Sequence, residues 1–296
     1  MKVITYGSLN VDYVYSVDHI LKEGETISSS KREVFPGGKG LNQTVALAKA
    51  GVDIYLAGNI GDDGAMLLDV CKEAGIRTDY LNTLPGPGGH TVIQVDKNGQ
   101  NSILLFGGSN QAHTKEEIDC TLDNFEKGDV IVLQNEINLL DYIIDKAYEK
   151  EMMIVLNPSP YDDKLNDCDM GKVSLFLVNE IEAGQMTGEE DIEKLPDALK
   201  KTFPDARFVL TLGSRGSVYI DADKEYHQDI VKVEAVDTTA AGDTFTGYFL
   251  GASLEGKDEK EALKIASLAS SIAVSRQGAA SSIPAKAEVL EALSIL

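Results

Sequence analysis

The most informative stretch of the chain is Val236-Asp237-Thr238-Thr239-Ala240-Ala241-Gly242-Asp243-Thr244-Phe245-Thr246-Gly247. Ala241 and Gly242 come where a helix is expected to begin, and the amides and dipole of a helix N-terminus hold oxyanions such as a transferring phosphoryl group. Asp243 lies in the same turn, where an isolated aspartate is explained as a helix cap that contributes about 0.5–2 kcal/mol. Asp237 lies six residues upstream, which allows a second interpretation of the pair. In it, one carboxylate deprotonates a hydroxyl and the other anchors a cation.

A glycine-rich turn precedes another expected helix. It reads Pro36-Gly37-Gly38-Lys39-Gly40-Leu41-Asn42-Gln43 and lies between an extended segment and a helix that begins near Gly40. Consecutive glycines allow a ligand to approach the backbone closely, and the helix start offers unpaired N–H groups. The chain lacks both the P-loop spacing G-x-x-x-x-G-K-[ST] and the dinucleotide spacing G-x-G-x-x-G, which counts against both common nucleotide-binding folds.

The composition is that of an average globular protein of 296 residues, with 43% hydrophobic and 25% charged residues. The apolar runs are too short for a transmembrane helix, which needs about 20 apolar residues, and the N-terminus lacks the apolar part of a secretory signal. We therefore expect a cytoplasmic protein without a membrane partner. The formal charge of −21 repels polyanions and argues against a nucleic-acid partner.

Short β-branched runs alternate with helical patterns along most of the chain, which is typical of βαβ units around a mainly parallel sheet. We therefore predict an α/β fold with helices on both faces of a central sheet. The predicted strands are 3–6, 54–57, 130–133, 153–156, 175–178 and 208–212. The predicted helices are 40–50, 64–74, 139–150, 180–186, 243–254, 260–275 and 286–295.

Two regions break this alternation with pairs of strands that have no helix between them. The segments 11–17 and 26–35 flank a turn at residues 22–25, and the segments 91–95 and 102–106 flank Lys97-Asn98-Gly99-Gln100. Asn-Gly in the second turn indicates a type I′ hairpin. The four strands predict a small sheet that stands off a single α/β domain spanning residues 1–296. The pattern leaves open whether this sheet is a lid or decoration.

The ordered motifs resemble those of the ribokinase-like (PfkB-type) carbohydrate kinases along nearly the whole chain. The glycine turn resembles the first signature of that family, and residues 237–243 resemble the second. The resemblance implies a ribokinase-like fold with a small β-sheet lid, ATP-dependent phosphorylation of a sugar, and a homodimer formed by pairing of the lid sheets. Other similar blocks are Gly7-Ser8-Leu9-Asn10-Val11-Asp12, Leu133-Gln134-Asn135-Glu136, Asn157-Pro158-Ser159-Pro160, Asn179-Glu180-Ile181-Glu182 and Thr211-Leu212-Gly213-Ser214-Arg215-Gly216.

The resemblance also implies roles for residues of the two signatures. Asp243 would be the general base that takes the proton from the primary hydroxyl of the sugar, a role usually worth about 10²- to 10⁴-fold in rate. Ala240, Ala241 and Gly242 would form the anion hole for the transferred phosphoryl group. The implied sugar-binding residues, besides Asp243, are Asn10, Asp12, Gly38, Lys39, Gly40, Asn42 and Glu136.

Cofactor sites follow from the same resemblance. Asn179 and Glu182 match an N-x-x-E motif that helps position Mg²⁺ and its waters beside the ATP phosphates. The implied nucleotide-binding residues are these two together with Thr211, Gly213, Ser214, Arg215, Gly216 and Gly242. A K⁺ site is implied at Asp237, Thr239, Ala273, Arg276, Gly278 and Ser282, mostly through backbone carbonyl groups. The last of these segments is also typical of an ordinary helix C-terminus capped by Gly278.

The small number of arginines and the resemblance to particular family members both narrow the choice of substrate. Five arginines occur in the chain, which argues against a sugar phosphate because that substrate needs a cationic cluster. The resemblance is greatest to family members that phosphorylate ribose, so D-ribose is the expected substrate and ribose 5-phosphate the product. A nucleoside stays open, since Tyr13, Tyr15 and Phe106 offer aromatic rings for a base, and so does another sugar. A catalytically inactive sugar or nucleotide sensor is a further alternative, but the sequence argues against it because Asp243, Gly242, Lys39, Asn42 and Glu182 are all present. His90, on the same strand face as Gln94, is a candidate for altered sugar choice.

Overall fold

The structure is a computed structural model that describes residues 1–295. Within that range the strands form a central nine-stranded sheet and a separate four-stranded sheet. The strands are β1 (Val3–Tyr6), β2 (Asn10–Ser16), β3 (Lys31–Gly37), β4 (Ile54–Ile60), β5 (Arg77–Thr83), β6 (Gly89–Val95), β7 (Asn101–Phe106), β8 (Val130–Gln134), β9 (Met153–Asn157), β10 (Leu175–Asn179), β11 (Arg207–Thr211), β12 (Ser217–Ile220) and β13 (Glu225–Gln228). The central sheet has the order β13-β12-β11-β10-β9-β8-β1-β4-β5, in which β12 and β13 are antiparallel and the other pairs are parallel.

Helices cover both faces of the central sheet, as predicted. The parallel strands are nearly continuous apolar runs because each of their faces is buried. In β8, Val130 and Val132 face one apolar core while Ile131 and Leu133 face the other. The helices are α1 (Lys39–Lys49), α2 (Ala65–Glu73), α3 (Lys115–Leu122), α4 (Leu140–Glu149), α5 (Glu180–Thr187), α6 (Leu195–Thr202), α7 (Ala241–Leu254), α8 (Glu259–Val274) and α9 (Lys286–Ile295). The first core takes residues from α1, α2, α7, α8 and α9, and the second takes residues from α3 to α6.

The smaller sheet has the order β3-β2-β6-β7. β2 pairs antiparallel with β3 and parallel with β6, while β6 pairs antiparallel with β7. The two predicted strand pairs are therefore joined through a central parallel pair. β7 lies at the edge, and all six of its residues are exposed.

Two predicted details of the smaller sheet are wrong. The strand predicted over 26–35 is β3, which begins at Lys31, because Lys31 pairs with Ser16 at the end of β2 and earlier residues have no opposing strand. The turn after β6 is not type I′, since that type needs a positive φ at both central residues. Gly99 has a φ of 77°, whereas Asn98 does not have a positive φ. The Asp96 N–H donates to the Gln100 carbonyl over 2.9 Å, which closes a three-residue loop instead.

Several elements occur where the sequence analysis predicted none, namely β5, β12, β13, α3 and α6. α3 begins with a capping box, in which the Thr114 hydroxyl accepts from the Glu117 N–H and the Glu117 carboxylate accepts from the Thr114 N–H. The other predicted strands and helices are present with small shifts of their ends. No helix within residues 1–295 is both long and apolar enough to cross a membrane.

The topology brings two loops together at the carboxyl edge of the central sheet. β1 lies between β4 and β8, so the connections on its two sides leave in opposite directions and open a crevice, the usual place for a ligand in such sheets. The Ser8 hydroxyl, just after β1, donates to the carboxylate of Glu136, just after β8. The glycine turn after β3 packs against the same place, because the Leu41 N–H donates to the Ser8 carbonyl over 2.9 Å.

Candidate active site

A cleft of about 230 Å³ opens at the carboxyl edge of the central sheet, beside the N-terminus of α7. The ends of β9, β10 and β11 form one side, and the first turn of α7 forms the other. The cleft brings together eight residues predicted for the site, which are Lys39, Asn179, Glu182, Thr211, Ala240, Ala241, Gly242 and Asp243. Residues from both sequence signatures therefore meet in one cavity.

Asp243 lies in the first turn of α7 and is 8% exposed. The cap position belongs to Ala240, which has a φ of 58°, and no side chain caps the helix. The Asp243 carboxylate instead reaches α1, where the Asn42 amide donates to Oδ2 over 3.2 Å and the Gln43 amide donates to Oδ1 over 3.0 Å. The alternative interpretation of Asp243 as a helix cap is therefore wrong.

The predicted anion hole lies at the start of α7. A Cβ placed on Gly242 would meet no atom within 4 Å, so the backbone of this residue faces open space in the cleft. The N–H of Ala241 donates to the Thr238 carbonyl over 3.2 Å and is engaged within the turn. In this conformation the geometry favours Gly242 over Ala241 as an amide donor to an anion.

Lys39 supplies positive charge to the cleft. Burial lowers the pKa of Lys39, but the nearby carboxylates of Asp243, Glu136 and Glu182 outweigh it and leave that pKa raised. The backbone N–H of Lys39 donates to Glu136 Oε2 over 3.1 Å. Burial raises the pKa of Glu136, an effect that the charge of Lys39 partly offsets. The three nearby carboxylates therefore favour the charged form of the Lys39 ammonium.

The predicted sugar-binding residues of β2 adjoin the glycine turn. Asn10 is buried, and its Oδ1 accepts from the Asn110 amide over 2.7 Å. The Oδ1 of Asp12 accepts from the Thr91 hydroxyl over 2.6 Å. Burial raises the pKa of Asp12 to about 6; the bond from Thr91 lowers this pKa and the charge of Glu136 raises it. Asp12 and Glu136 thus lie close enough for the charge of Glu136 to act on the Asp12 carboxylate.

The glycine turn requires its glycines where it meets the loop after β1. Gly38 has a φ of 94°, which favours glycine, and a Cβ there would come within 2.9 Å of the Ser8 carbonyl oxygen. The turn leads into α1, where Asn42 is buried and its Oδ1 has no hydrogen-bond partner among the described residues. This oxygen is therefore a buried acceptor that is left without a donor in the present conformation.

His90 does not lie where the sequence analysis expected it. Asp12 pairs with Thr91 in the register of β2 and β6, and their hydrogen bond shows that they share one face of the small sheet. Since successive residues of a strand point to opposite faces, His90 lies on the other face. There its ring packs against Phe106 at 4.9 Å and Tyr13 at 6.0 Å. His90 therefore lies on the face opposite to Asp12, the predicted sugar ligand, and Thr91 lies on the same face as Asp12.

Asn179 and Glu182 form a capping box at the start of α5. The Asn179 Oδ1 accepts from the N–H groups of Ile181 and Glu182, and the Glu182 carboxylate accepts from the Asn179 N–H over 3.0 Å. That bond uses Oε2 of Glu182, a buried side chain that lines the cleft. The other carboxylate oxygen is thus available to an ion or to its waters.

The remaining predicted nucleotide residues follow β11. Thr211, the last residue of that strand, lines the cleft. Gly213, Ser214, Arg215 and Gly216 form the next turn and do not line it. The Arg215 guanidinium pairs with Glu193 over 3.1 Å. The structure therefore places this turn beyond the cleft rather than within it.

The two segments predicted to bind K⁺ lie side by side. The N–H groups of Val236 and Asp237 both donate to the Val274 carbonyl at the end of α8. The Asp237 carboxylate accepts from the Thr239 N–H over 2.9 Å and from the Gly278 N–H over 3.0 Å. Burial raises the pKa of Asp237, but these bonds outweigh it and leave the pKa lowered. Thr239, Ala273 and Ser282 adjoin these bonds along the chain, while the Arg276 side chain turns away to Glu288.

The family profile for pfkB family carbohydrate kinases matches residues 1–286 of this chain. The chain belongs to that family. It is also 34% identical over 296 residues to a ribokinase from Bacillus subtilis, and the match covers 99% of each chain. The prediction of a carbohydrate kinase from the two signatures is thus confirmed.

Solved structures agree with the fold of this pfkB kinase. A ribokinase from Thermotoga maritima is similar with a TM-score of 0.88 and 33% identity, and the match covers 99% of each chain. A ribokinase from Arabidopsis thaliana, solved with ribose and ATP, is similar with a TM-score of 0.87 and 30% identity over 99% of this chain and 98% of that one. The predicted ribokinase-like α/β fold, with its small separate sheet, is confirmed.

Three polar residues of this kinase site were not predicted. Gln43 contacts Asp243 directly, Gln134 contacts Gln43, and Asn157 lines the cleft. Gln43 belongs to the glycine turn, while Gln134 and Asn157 end apolar strands, the first fully buried and the second partly buried. A polar residue at the carboxyl end of a parallel strand is the signal that could have found the last two.

Proposed function

We propose that this pfkB carbohydrate kinase transfers the terminal phosphoryl group of ATP to the primary hydroxyl of D-ribose, which gives ribose 5-phosphate. The observation that carries the proposal is the position of Asp243, a buried carboxylate at a helix N-terminus that lines the cleft and contacts the glycine turn. Similarity to the Bacillus subtilis ribokinase, and to the Arabidopsis thaliana ribokinase solved with ribose and ATP, supports the choice of substrates.

Asp243 acts as the general base in this proposal. It takes the proton from the attacking hydroxyl, which must approach to about 2.6–3.2 Å for the transfer. Asn42 and Gln43 hold its two oxygens, so the carboxylate does not reorient during the reaction. The N–H of Gly242 and the charge of Lys39 stabilise the negative charge that spreads over the phosphoryl oxygens.

Ribose is held by the polar surface next to the cleft. Asp12 and Glu136 accept hydrogen bonds from sugar hydroxyls, and the unpartnered Oδ1 of Asn42 accepts another. Asn10 and Gly38 complete this surface beside the Ser8 loop. Such groups discriminate against a sugar that lacks a hydroxyl, because each group it fails to reach stays buried and unpaired.

The placement of the arginines supports an uncharged sugar. A substrate that already carries a phosphate group would need a basic partner for that group, and guanidinium groups are the usual partner. None of the five arginines lines the cleft within the described residues. Arg32 packs over Tyr13, Arg77 pairs with Asp53, Arg207 contacts the Ser174 carbonyl, Arg215 pairs with Glu193 and Arg276 pairs with Glu288.

The residues near the cleft fit Mg²⁺ and ATP. Glu182 offers a carboxylate oxygen, and Mg²⁺ needs few protein ligands because it keeps several waters. Bound Mg²⁺ would neutralise charge on the phosphate oxygens. Asn179 fixes Glu182 through the capping box. Thr211 lines the same side of the cleft. The turn of Gly213 to Gly216, which follows Thr211, would contact the nucleotide outside the cleft.

The loop before α7 fits a K⁺ ion. Asp237 joins the loop to the Gly278 turn, and carbonyl and hydroxyl oxygens of Thr239, Ala273, Arg276 and Ser282 lie along the same two segments. Oxygen donors of this kind suit hard cations. Bound K⁺ would supply positive charge next to the anion site, while Asp237 itself keeps the loop that leads to Ala240 against α8.

The small sheet acts as a lid and as a dimer interface in this proposal. Asp12 and Thr91 on one of its faces adjoin the proposed sugar site. β7 exposes Ile103, Leu104, Leu105 and Phe106 along an edge with unpaired backbone groups. Such an edge pairs readily with another strand, and a second copy of this chain offers the same apolar edge.

A coupled assay of ADP release with a panel of acceptors tests the proposed function. The panel contains D-ribose, 2-deoxy-D-ribose, D-fructose and a nucleoside, each measured in KCl and in NaCl. We expect the highest kcat/KM with ribose and a faster reaction in KCl. A higher kcat/KM with the nucleoside would contradict the choice of ribose, and ligand binding without turnover on any acceptor would indicate a sensor.

A further inference from the structure

Amide side chains at the ends of two central strands converge on α1. Gln134 is the last residue of β8, and Asn157 is the last residue of β9. The Gln134 Nε2 donates to Gln43 Oε1 over 2.7 Å, and the Gln43 Nε2 donates to Asp243 Oδ1 over 3.0 Å. A continuous line of hydrogen bonds therefore runs from the sheet, through Gln43, to the proposed base.

The direction of the Gln43 amide is fixed by its partners. Because its Oε1 accepts from Gln134, its Nε2 faces Asp243. The same Nε2 lies 3.4 Å from Asn157 Oδ1, and Asn157 in turn donates to the Leu177 carbonyl over 2.7 Å. A reversed Gln43 amide would place an oxygen against the Asp243 carboxylate, where two acceptors repel each other.

Both glutamines are buried, at 1% exposure for Gln43 and 0% for Gln134. Buried amides cost free energy unless they are hydrogen-bonded, and Gln134 Oε1 has no partner within the described residues. A Cβ on Gly7 would lie 2.2 Å from that oxygen, so the loop after β1 also depends on glycine to admit Gln134. Stability alone would favour an apolar residue at Gln134, which points to a role in the site.

We propose that Gln43, held by Gln134, is a positioning residue for Asp243. Asn42 holds Oδ2 of the carboxylate and Gln43 holds Oδ1, so together they set its plane and leave a lone pair facing the cleft. This inference rests on the proposed function, since it requires Asp243 to act as the base. Both polar groups of Gln43 are engaged by Gln134 and Asp243, so its loss should lower kcat and leave ribose affinity nearly unchanged.

The test compares kcat with ribose affinity in two variants. Gln43→Met keeps the length of the side chain but removes its donor and acceptor. Gln43→Glu keeps an acceptor for Gln134 but turns an oxygen toward Asp243. We expect kcat to fall about 10- to 100-fold in both, the range for a hydrogen bond to a charged group. The ribose Kd, measured by calorimetry, should stay within about threefold of wild type, and Gln185→Met, at an exposed position of α5, should leave kcat unchanged.

A double-mutant cycle tests the link to Gln134. If Gln134 acts through Gln43, Gln134→Met lowers kcat, and the double variant with Gln43→Met is no slower than Gln43→Met alone. Additive losses would overturn the link. Should the Gln43 variants not fold, Gln134→Met decides: a lower kcat with normal ribose affinity supports the inference, and a normal kcat overturns it.

The outcomes also separate this inference from the proposed function. Ribose turnover by the wild-type protein together with an unchanged kcat in both Gln43 variants would contradict the positioning role alone. Absence of turnover by the wild-type protein with every acceptor in the panel would contradict the proposed function and this inference with it.

Discussion

The Thr91 hydroxyl donates a hydrogen bond to Oδ1 of Asp12 over 2.6 Å, and this bond joins β6 to β2 on one face of the small sheet. Asp12 is the proposed acceptor for a sugar hydroxyl, so Thr91 shares the carboxylate with the substrate. The bond also lowers the pKa of Asp12 against the larger opposing effect of burial, which brings that pKa to about 6. In the proposed function, the affinity for sugar depends on the protonation of Asp12.

Ribose affinity should depend on pH through Asp12. The ionised carboxylate accepts hydrogen bonds from hydroxyls better than the protonated acid, so affinity should fall as pH falls through about 6, by up to about tenfold per unit. Thr91→Val removes the bond that lowers this pKa, so its transition should move to higher pH. Calorimetry between about pH 5 and 8 measures both effects. A ribose Kd that does not change with pH would contradict the role of Asp12.

The contribution of Asp12 to folding stability should fall as pH rises, which is opposite to its effect on ribose affinity. The folded-state pKa of Asp12 is raised from 3.8 to about 6, so its contribution to stability is fully present below about 3.8 and is lost as pH rises through about 6. Asp12→Asn should therefore raise the free energy of unfolding by about 1–2 kcal/mol at pH 8, with little gain at pH 4. Urea unfolding at the two pH values measures this. If Asp12→Asn changed the free energy of unfolding equally at both pH values, burial of the Asp12 charge would not be the cause of that change.

Asn42→Ala should impair both sugar binding and turnover. The Oδ1 of Asn42 is the unpartnered acceptor proposed for a sugar hydroxyl, and its amide donates to Asp243. We expect ribose KM to rise about tenfold and kcat to fall about tenfold, since each function is one hydrogen bond to a charged or buried partner. Steady-state kinetics separates the two effects. A change in kcat without a change in KM would remove Asn42 from the sugar site.

The proposed dimer should depend on the exposed edge of β7. Leu104 is 70% exposed, and a lysine there places charge on an edge strand, which opposes pairing with a second strand. We expect the wild-type protein to be a dimer at micromolar concentration and Leu104→Lys to be a monomer by light scattering. Ile181→Lys, on α5 at 68% exposure, is the matched control and should stay dimeric. A monomeric wild-type protein would contradict the proposal.

Sequence patterns predicted the parts of the fold that are apolar and periodic. β1 and α9 were predicted to the residue, because Val3 to Tyr6 is a short buried run and Lys286 to Ile295 contains apolar residues three and four positions apart. β5 was missed because Arg77 to Thr83 is largely polar and partly exposed. α3 was missed although Thr114 and Glu117 carry the spacing of a capping box. Local signals thus fail for β5, where tertiary contacts hold a polar segment, whereas α3 carries a local signal that the sequence analysis did not use.

Candidate site residues were predicted where they lie within one compact motif. Contacts between segments that are distant in sequence were not predicted. Asp243 and the glycine turn lie in two compact motifs, and the cleft contains residues of both. The contact between Gln43 and Gln134 joins positions 91 residues apart, which no local pattern specifies. His90 was misplaced because period-two alternation shows which residues share a face but not which face meets the site. The register of β2 and β6 places His90 on the face opposite to Asp12.

The central claim is that Asp243 is the base of a sugar kinase, and Asp243→Asn tests it most directly. The amide keeps the size of the side chain but cannot accept the proton, so kcat should fall about 10²- to 10⁴-fold while ribose Kd stays within about threefold. Asp141→Asn, an aspartate in the first turn of α4, is the matched control and should keep wild-type kcat. An Asp243→Asn protein that phosphorylates ribose with nearly wild-type kcat would contradict the account.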